Sequence, residues 1–547
     1  MPIKYKSTRG KQTGLSFEEV VLGGLATDGG LFVPESIPHM SQAEIESLRK
    51  LSYADLAYEI ISKFISPEDI PAANLKDIVD RSFGSQWRHP ECTPSIKLKD
   101  FWVLELFHGP TFAFKDVALQ FLGNVFEFFL TRGAIQTNIT ILGATSGDTG
   151  SAAILGLRGK KNVNCIILYP LGKVTAIQER QMTTVADSNV HCVSVEGDFD
   201  DCQALVKAAF NDEAFRKDVQ LGAINSINWA RVLAQITYYF YSWLHITGDD
   251  STQNSYTAKL KAAIGKPTLL HFAVPTGNFG DILAGYYAKR MGLPIDKLVV
   301  CTNENDVLHR FLETGSYRKD PATLTIAPSM DISVSSNFER YLLYLADEDT
   351  AKLAAWMAEF EGKGKMTVDP QLLERAQKDF VSFASSKQDI VLAMRNVFDQ
   401  ENYLLCPHTA TAVVAVRALK LDAQRTCILA TAHAAKFEQA CTLALTGTRI
   451  TPTRPAELDV LFSLPVRSTA MGNDQQAVQR FVRSKVAASK GDKSQSQGAS
   501  ASTGGGMAAV FGFGEGASGA HVWVTRLVLV GSVALAAYFR YGRHLRK

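Results

Sequence analysis

The feature that most constrains the fold is an alternation that runs along the chain from about Phe101 onward. Short, nearly continuous apolar runs are each followed by a Gly-rich or polar turn and then by a longer segment with helical spacing. Apolar runs without polar alternation are typical of parallel strands that are covered on both faces. The sequence therefore predicts an α/β architecture that binds ligands at the C-terminal ends of its strands. The predicted strands are 103–107, 139–142, 165–169, 269–274, 298–301 and 427–430, and the helices that open after three of them are 117–130, 151–157 and 282–291.

The rest of the chain divides into segments of different character. Residues 1–99 contain helical stretches at 41–51 and 53–64 within turn-rich sequence, which predicts an N-terminal domain or cap. Residues 100–487 form the predicted catalytic domain of two α/β lobes with parallel or mixed sheets. The polar segment 242–266 is a candidate boundary between the lobes, and 316–337 is predicted to be irregular.

The C-terminal extension has a low-complexity linker and an apolar end. Residues 488–521 are rich in Gly, Ser and Ala, which predicts a disordered linker. Residues 522–547 hold an apolar stretch and a basic flank, close to the shortest length that spans a bilayer. Arg526 lies within that stretch. Two interpretations stay open: a membrane anchor, or an extension added by a gene-model error.

Charge and cysteine content narrow the class of function. Lys and Arg number 57 against 55 for Asp and Glu, a net charge of +2 that gives no electrostatic reason to expect a nucleic-acid partner. The eight cysteines are scattered singly, so no metal site is predicted. Residues 1–10 lack the apolar region of a secretory signal. These features together favour an enzyme of a reducing, cytoplasmic compartment that acts on small molecules.

A lysine lies at the first strand–loop–helix junction. Lys115 lies two residues before the start of the apolar helix predicted over 117–130. Desolvation by Phe112 and Phe114 and the positive end of the helix dipole both lower the pKa of an ammonium at this position toward that of a nucleophilic amine. Lys115 is thus a candidate Schiff-base lysine, and an ion pair with Asp116 is the structural alternative.

Two further junctions have small residues that let the backbone approach an anion. They are residues 143–150 (GATSGDTG) and 274–281 (VPTGNFGD), and each leads into a predicted helix whose free N–H groups favour a carboxylate or phosphate. In the second, Gly277 and Gly280 bracket a candidate phosphate nest, with Asp281 as a candidate N-cap. Neither segment is a Walker A loop or a dinucleotide fingerprint, and each alone is also consistent with an ordinary turn.

Seven segments, in their order along the chain, resemble the threonine synthase family of the fungal and bacterial kind, which are fold-type II enzymes that use pyridoxal 5'-phosphate (PLP). The resemblance runs from the N-terminus to about residue 480. One departure is Ala435, where the family pattern has Pro, and this is expected to loosen the turn after Thr431. The segments are 5–9 (YKSTR), 23–34 (GGLATDGGLFVP), 107–116 (FHGPTFAFKD), 144–153 (ATSGDTGSAA), 225–231 (NSINWAR), 277–281 (GNFGD) and 431–437 (TAHAAKF).

The resemblance implies a role for individual residues. It makes Lys115 the catalytic lysine that carries the cofactor, and Thr431 the hydroxyl residue that faces the pyridine nitrogen. The residues implied to hold the cofactor phosphate are Gly277, Asn278, Phe279, Gly280 and Asp281. The residues implied to bind the substrate are Ser146, Asp148, Thr149, Asn225, Ser226, Asn228 and Arg231, of which Arg231 is expected to hold the substrate phosphate.

The resemblance also implies a reaction, the conversion of O-phospho-L-homoserine and water into L-threonine and phosphate, the last step of threonine biosynthesis. A related phospho-lyase that releases 2-oxobutyrate, and a catalytically silent, membrane-tethered adaptor that binds PLP, stay open as alternatives. His108 and His433 are expected to be structural, and Trp229 and the run 236–240 to belong to the core. The sequence leaves monomer and dimer open.

Overall fold

The computed structural model describes residues 3–133, 138–248, 267–448 and 452–501. Residues Met1–Lys490 form one compact unit and Gly491–Lys547 form a second. Of the second unit, only residues 491–501 are described, and they are the end of a helix. The strands are β1 (Tyr5–Ser7), β2 (Phe32–Pro34), β3 (Ser95–Lys97), β4 (Trp102–Glu105), β5 (Ile139–Ala144), β6 (Val163–Pro170), β7 (Val190–Val195), β8 (Leu221–Gly222), β9 (Leu270–Pro275), β10 (Ile295–Thr302), β11 (Ser316–Arg318), β12 (Lys365–Thr367), β13 (Phe380–Ala384), β14 (Thr426–Ala430) and β15 (Thr469–Met471).

The α-helices that accompany these strands are α1 (Phe17–Gly23), α2 (Gln42–Ser47), α3 (Tyr53–Ile61), α4 (Ala72–Ser82), α5 (Lys115–Thr131), α6 (Asp148–Leu157), α7 (Ala176–Thr183), α8 (Phe199–Asn211), α9 (Glu213–Asp218), α10 (Trp229–Ile246), α11 (Gly280–Arg290), α12 (Val307–Thr314), α13 (Phe338–Leu345), α14 (Thr350–Lys363), α15 (Pro370–Asp379), α16 (Lys387–Glu401), α17 (Pro407–Ala418), α18 (Glu438–Ala444), α19 (Ala456–Asp459) and α20 (Gln475–Ala501).

Two sheets organise the larger unit, as the alternation in the sequence predicts. One has the order β13-β10-β9-β14-β4-β3 and is parallel except for the antiparallel pair β3–β4. The other, β15-β7-β6-β5-β8, is parallel throughout. All six predicted strands are confirmed, and the prediction of two α/β lobes with parallel or mixed sheets is correct. Strand β7 was not predicted because its sequence, VHCVSV, breaks the continuous apolar run with polar residues.

The N-terminal residues share a core with the rest of the unit. Tyr5 is fully buried, its ring lies 6.0 Å from that of Trp229, and the Trp229 indole N–H donates to its hydroxyl at 3.2 Å. Trp229 and the run 236–240 are buried, which confirms their assignment to the core. The two helices predicted at 41–51 and 53–64 are present but shorter, and each begins at a serine N-cap.

The first part of the polar segment 242–266 is not a boundary between lobes, because its first five residues are the end of α10. Ser242 is buried there, and its hydroxyl accepts a hydrogen bond from the Ser95 hydroxyl at 3.1 Å. Residues 249–266 lie outside the described residues. The segment 316–337 is largely irregular, as predicted, with one short strand and one 3₁₀ turn.

Helices α5 and α6 approach each other through glycine. A Cβ atom on Gly123 would overlap the carbonyl group of Gly156, and one on Gly156 would overlap the carbonyl group of Leu119. Only glycine lets two backbones approach this closely. The helices that open at Lys115 and at Asp148 are therefore in direct backbone contact about two turns from those residues.

The C-terminal extension is described only in part. Helix α20 runs through Ala501 and so enters the segment 488–521 that was predicted as a linker. The remainder of that linker and the apolar segment 522–547 lie outside the described residues. Among the residues that are described, no helix combines the length and the apolar character that a bilayer crossing requires.

Candidate active site

The three junctions singled out in the sequence meet in one cavity at the C-terminal ends of β4, β5, β9 and β14. This is where parallel strands of α/β sheets place ligands. The predicted site residues that line it are Lys115, Asp148, Thr149, Ser226, Arg231, Gly277, Asn278, Phe279, Gly280, Asp281 and Thr431. Three others do not line it: Ser146 is half-buried in the loop before α6, Asn225 is exposed, and Asn228 is buried elsewhere.

Lys115 opens α5 and projects into the cavity. Its side chain is only 12% exposed, and its ammonium nitrogen lies 4.7 Å from the centre of the Phe114 ring. Burial lowers the pKa of this amine to about 8, opposed by the nearby Asp148 carboxylate. The alternative ion pair with Asp116 is wrong, because the Asp116 carboxylate accepts from the Thr111 N–H and hydroxyl at 2.7 and 2.8 Å.

Asp148 is held by protein groups at both carboxylate oxygens. Oδ1 lies 2.7 Å from the Lys436 ammonium and accepts from the Gln178 amide at 2.9 Å. Oδ2 accepts from the Ser329 hydroxyl at 3.3 Å and lies 3.8 Å from the Lys115 ammonium. The two lysines hold the pKa of this carboxyl well below its usual range in spite of burial.

The loop before α11 has the form of an anion nest. Phe279 adopts a left-handed φ of 63° at the N-cap and Gly280 begins the helix. Among the described residues none accepts a hydrogen bond from the backbone N–H groups of 277–280, while Ser335 and Asn337 donate to carbonyls of the loop and fix it from outside. Free N–H groups of this kind suit a phosphate.

Asp281 is not the N-cap that its position suggested. The left-handed turn at Phe279 aims its side chain away from the helix terminus, and Oδ1 accepts from the hydroxyls of Tyr238 and Tyr239 at 2.6 and 2.9 Å. Oδ2 is buried without a partner among the described residues. Burial raises the pKa of this carboxyl to about 6.

Arg231 brings a buried positive charge to the cavity. The residue is 4% exposed, Nη1 donates to the Ile224 carbonyl at 2.9 Å, and Nε has no partner among the described residues. No described carboxylate forms an ion pair with it, and burial lowers its pKa to about 10. Asn228 is occupied elsewhere: its side chain caps α10 and donates to the Val21 carbonyl at 2.9 Å, so it supports the helix that carries Arg231.

Thr431 follows β14 and is tied to the loop of the reactive lysine. Its carbonyl accepts from the Phe114 N–H at 2.8 Å, and its own N–H donates to the Thr409 hydroxyl at 3.3 Å. The turn beyond it is not loosened by Ala435, since the Ala435 N–H donates to Nδ1 of His433 at 3.2 Å, a bond that proline cannot make.

Sequence reasoning missed several residues of the site, among them four with polar or charged side chains that bear on its chemistry. Gln235, Ser329 and His408 line the cavity, and Lys436 lies behind Asp148. Burial lowers the pKa of His408 to about 3, so this imidazole is neutral and accepts from the Ser329 N–H at 3.1 Å. Ser329 could have been noticed only as one polar residue among several in the irregular segment 316–337. Lys436 lies within the motif 431–437, but the motif gave it no role.

His108 and His433, which the sequence predicts to be structural, both have partners within the protein. Nε2 of His108 bonds the Glu105 carboxylate at 2.7 Å, and Nδ1 of His433 accepts the Ala435 N–H. Neither lines the cavity that holds Lys115.

Family comparisons agree with this geometry along most of the chain. Models described as "Threonine synthase N terminus", "Pyridoxal-phosphate dependent enzyme" and "Threonine synthase, C-terminal" match residues 4–83, 87–371 and 409–482. The threonine synthase of Schizosaccharomyces pombe is 51% identical, covering 81% of this chain and 90% of the relative. The chain belongs to the threonine synthase family. The predicted resemblance is thereby confirmed, and members of this family are PLP-dependent lyases.

Solved structures of the threonine synthase family have the same fold. The yeast enzyme superposes with a TM-score of 0.82 at 44% identity, covering 88% of this chain and 99% of that one. A PLP-bound threonine synthase from Brucella melitensis gives 0.81 at 40% identity with the same coverage. The assignment to fold type II is therefore correct. The amine of Lys115 and the free N–H groups of 277–280 fit the aldehyde and the phosphate of PLP.

Proposed function

We propose that this chain converts O-phospho-L-homoserine and water into L-threonine and phosphate with PLP as cofactor. The observation that carries the proposal is that one cavity brings together a lysine amine and two separate sites for anions. The free N–H groups of 277–280 form one site, and the unpaired guanidinium of Arg231 forms the other. A phosphorylated substrate and a phosphorylated cofactor need two such sites.

We assign the cofactor to the residues that suit its functional groups. Lys115 would form the covalent link, residues 277–281 would hold the phosphate, and the Thr431 hydroxyl would face the pyridine nitrogen. When bound, PLP supplies an electron sink that makes protons next to the substrate amine acidic. A hydroxyl beside the ring nitrogen, unlike a carboxylate, does not keep that nitrogen protonated, which favours elimination and replacement over transamination.

Lys115 is the proposed proton carrier. Once free, its Nζ would take the α-proton and then a β-proton of the substrate, and would return one proton to the γ-carbon after phosphate has left and one to the α-carbon after water has added at the β-carbon. An amine with a pKa near 8 suits this task better than an ordinary lysine, because about a tenth of it is unprotonated at pH 7 against less than a thousandth at a pKa of 10.5. Arg231 would bind the phosphate and stabilise its charge as it leaves, since a planar guanidinium donates two hydrogen bonds to a tetrahedral oxyanion.

The remaining substrate contacts are proposed from the cavity wall. Thr149 and Ser226 line the same cavity as Lys115 and Arg231, and Asp148 and Thr149 begin α6, where the N–H groups at a helix start can bind a carboxylate. Ser146 and Asn225 are proposed to reach the substrate only when it is bound. For Asn228 we propose an indirect role, through the helix that it caps.

The phospho-lyase is the second candidate, and one specific observation keeps it open. Proteins named "Threonine synthase-like 2" from Homo sapiens and Xenopus laevis are each 38% identical over 85% of this chain. The higher identity to the fungal threonine synthases favours the synthase. The silent adaptor is disfavoured by the intact Lys115 and Arg231.

One experiment separates the three candidates. The purified protein, after a PLP absorbance scan, is incubated with O-phosphohomoserine while phosphate, threonine and 2-oxobutyrate are measured. The synthase gives phosphate and threonine in equal amounts, whereas 2-oxobutyrate in place of threonine would identify the lyase. The Lys115→Ala variant is the control, and it should lose both the absorbance of the covalently bound cofactor and turnover. Full activity in that variant would exclude the assignment.

The organisation and location of the chain also remain proposals. We propose an N-terminal domain of residues 1–99 and a catalytic domain of residues 100–487, followed by the linker and the tail. A cytoplasmic location suits the eight cysteines, all buried as free thiols. Fractionation of cells with an antibody to the enzyme tests this, because recovery of the full-length product in membranes would instead favour an anchor in 522–547.

A further inference from the structure

We propose that Lys436 is a positioning residue that holds Asp148 and so keeps the amine of Lys115 available for proton transfer. The inference rests on the proposed function in that Lys115 is the residue that carries the proton. It goes beyond that function because it assigns a role to a second lysine, which does not line the cavity.

Lys436 and Asp148 form a buried ion pair, and further hydrogen bonds hold both partners. Its side chain is 0% exposed, and its ammonium lies 2.7 Å from Oδ1 of Asp148 and donates to the Thr111 carbonyl at 2.8 Å. Gln178 and Gln181 donate to the same carboxylate oxygen and the same carbonyl, each at 2.9 Å. A buried ion pair with additional hydrogen bonds on both partners has a defined geometry.

Through its contacts with Asp148 and the Thr111 carbonyl, Lys436 connects two segments that lie on either side of Lys115. Thr111 lies in the loop that leads to Lys115, and Asp148 lies at the start of α6. Oδ2 of Asp148, the oxygen that Lys436 leaves unused, is the one that faces the Lys115 ammonium, at 3.8 Å. At that distance Asp148 attracts the ammonium without a direct hydrogen bond.

The charges explain why the second lysine is needed. An aspartate alone beside Lys115 would form a close ion pair and favour the protonated lysine, which cannot remove a proton from the substrate. Lys436 opposes that attraction with a like charge of its own and, through its contact with Oδ1, keeps the carboxylate from turning toward Lys115. Four other charged or titratable groups interact electrostatically with Lys115: Arg231, Asp116, Asp281 and His408.

This arrangement predicts opposite effects for its two partners. In Lys436→Met, Asp148 is free to pair with Lys115, so the pKa of Lys115 should rise by about one pH unit. In Asp148→Asn, Lys115 faces two cations without a counter-charge, so its pKa should fall by about the same amount. The double variant should lie between Asp148→Asn and the wild type, because one like charge is removed with the carboxylate.

The pKa of Lys115 can be measured without turnover. Cofactor is removed from the full-length protein, and the rate at which trinitrobenzenesulfonate modifies Lys115 is followed against pH by mass spectrometry of its peptide. Lys160→Met is the control: it removes a different lysine that is also paired with a carboxylate, Glu127 at 3.5 Å, and should leave the Lys115 profile unchanged.

Shifts in the same direction for Lys436→Met and Asp148→Asn, or no shift in either, would overturn the inference. If Lys436→Met does not fold, the comparison of Asp148→Asn with the charge-neutral double variant decides, and equal profiles would overturn it. Threonine formation by the wild-type holoenzyme is measured separately. A failure of this inference therefore leaves the proposed function standing, whereas a failure of the function appears as missing product.

Discussion

Replacing Arg231 should change stability and activity in opposite directions. Burial lowers the pKa of this guanidinium from 12.5 to about 10. One pH unit corresponds to about 1.4 kcal/mol, so the buried charge disfavours the folded state by about 3 kcal/mol. Arg231→Met removes that penalty and loses one hydrogen bond to the Ile224 carbonyl, worth about 1 kcal/mol. The net gain of about 2 kcal/mol should raise the Tm by roughly 2 °C in a unit of this size.

The same substitution should disable the reaction. Two charge-assisted hydrogen bonds to a phosphate are worth about 3 to 6 kcal/mol together, so kcat/KM should fall by about 10² to 10⁴-fold. Phosphate release from O-phosphohomoserine measures the loss, and thermal unfolding of the cofactor-free protein measures the gain.

Arg340→Met is the matched control for Arg231→Met. Arg340 is fully buried and burial lowers its pKa to about 10 as well, but its guanidinium donates to Phe32, Ile227 and Asn337. Its loss leaves three acceptors unpaired and should lower the Tm. The reasoning is refuted if Arg231→Met also lowers the Tm by several degrees, or if its kcat/KM stays within tenfold of the wild type.

Three further substitutions test other parts of the site. Thr431→Asp should change the absorbance of the bound cofactor and the proportion of side products, and an unaltered spectrum and product ratio would contradict the proposed role of the hydroxyl. Gly156→Ala should lower the Tm through overlap with the Leu119 carbonyl, at a cost of about 1 to 3 kcal/mol, and an unchanged melting curve would count against that contact. Because the pKa of Asp281 is raised from 3.8 to about 6, its ionisation destabilises the folded state increasingly as the pH rises from about 4 through 6. Asp281→Asn should therefore stabilise the cofactor-free protein at pH 8, by about 3 kcal/mol at most, and hardly at pH 4; an equal Tm difference at both values would reject this.

The sequence predicted the fold well because the strongest signals are local. Continuous apolar runs identify buried parallel strands, and the junctions at 107–116 and 274–281 stand out by their glycines and their place after a strand. The carboxyl ends of parallel strands share one edge of a sheet, so these loops were expected to meet. This is why Lys115 and the anion nest could be placed without a structure.

Orientation and long-range pairing were not predictable in the same way. Asp281 occupies an N-cap position in the sequence, but the left-handed Phe279 turns its side chain toward two tyrosines. Asn228 lies in a family motif, yet its amide is used within the protein. Lys436 and Asp148 each lie in a family motif, but no local pattern records the contact that the fold makes between them.

The bond between Lys436 and the Thr111 carbonyl also bears on how the chain is synthesised. The two residues are 325 positions apart, and at roughly 5 to 20 residues per second the ribosome needs about 15 to 65 seconds to go from one to the other. For most of that interval a nascent chain carries Lys115 and Asp148 but lacks both Thr431 and Lys436. Capture of the cofactor in its final geometry therefore has to wait for one of the last segments of the enzyme to leave the ribosome.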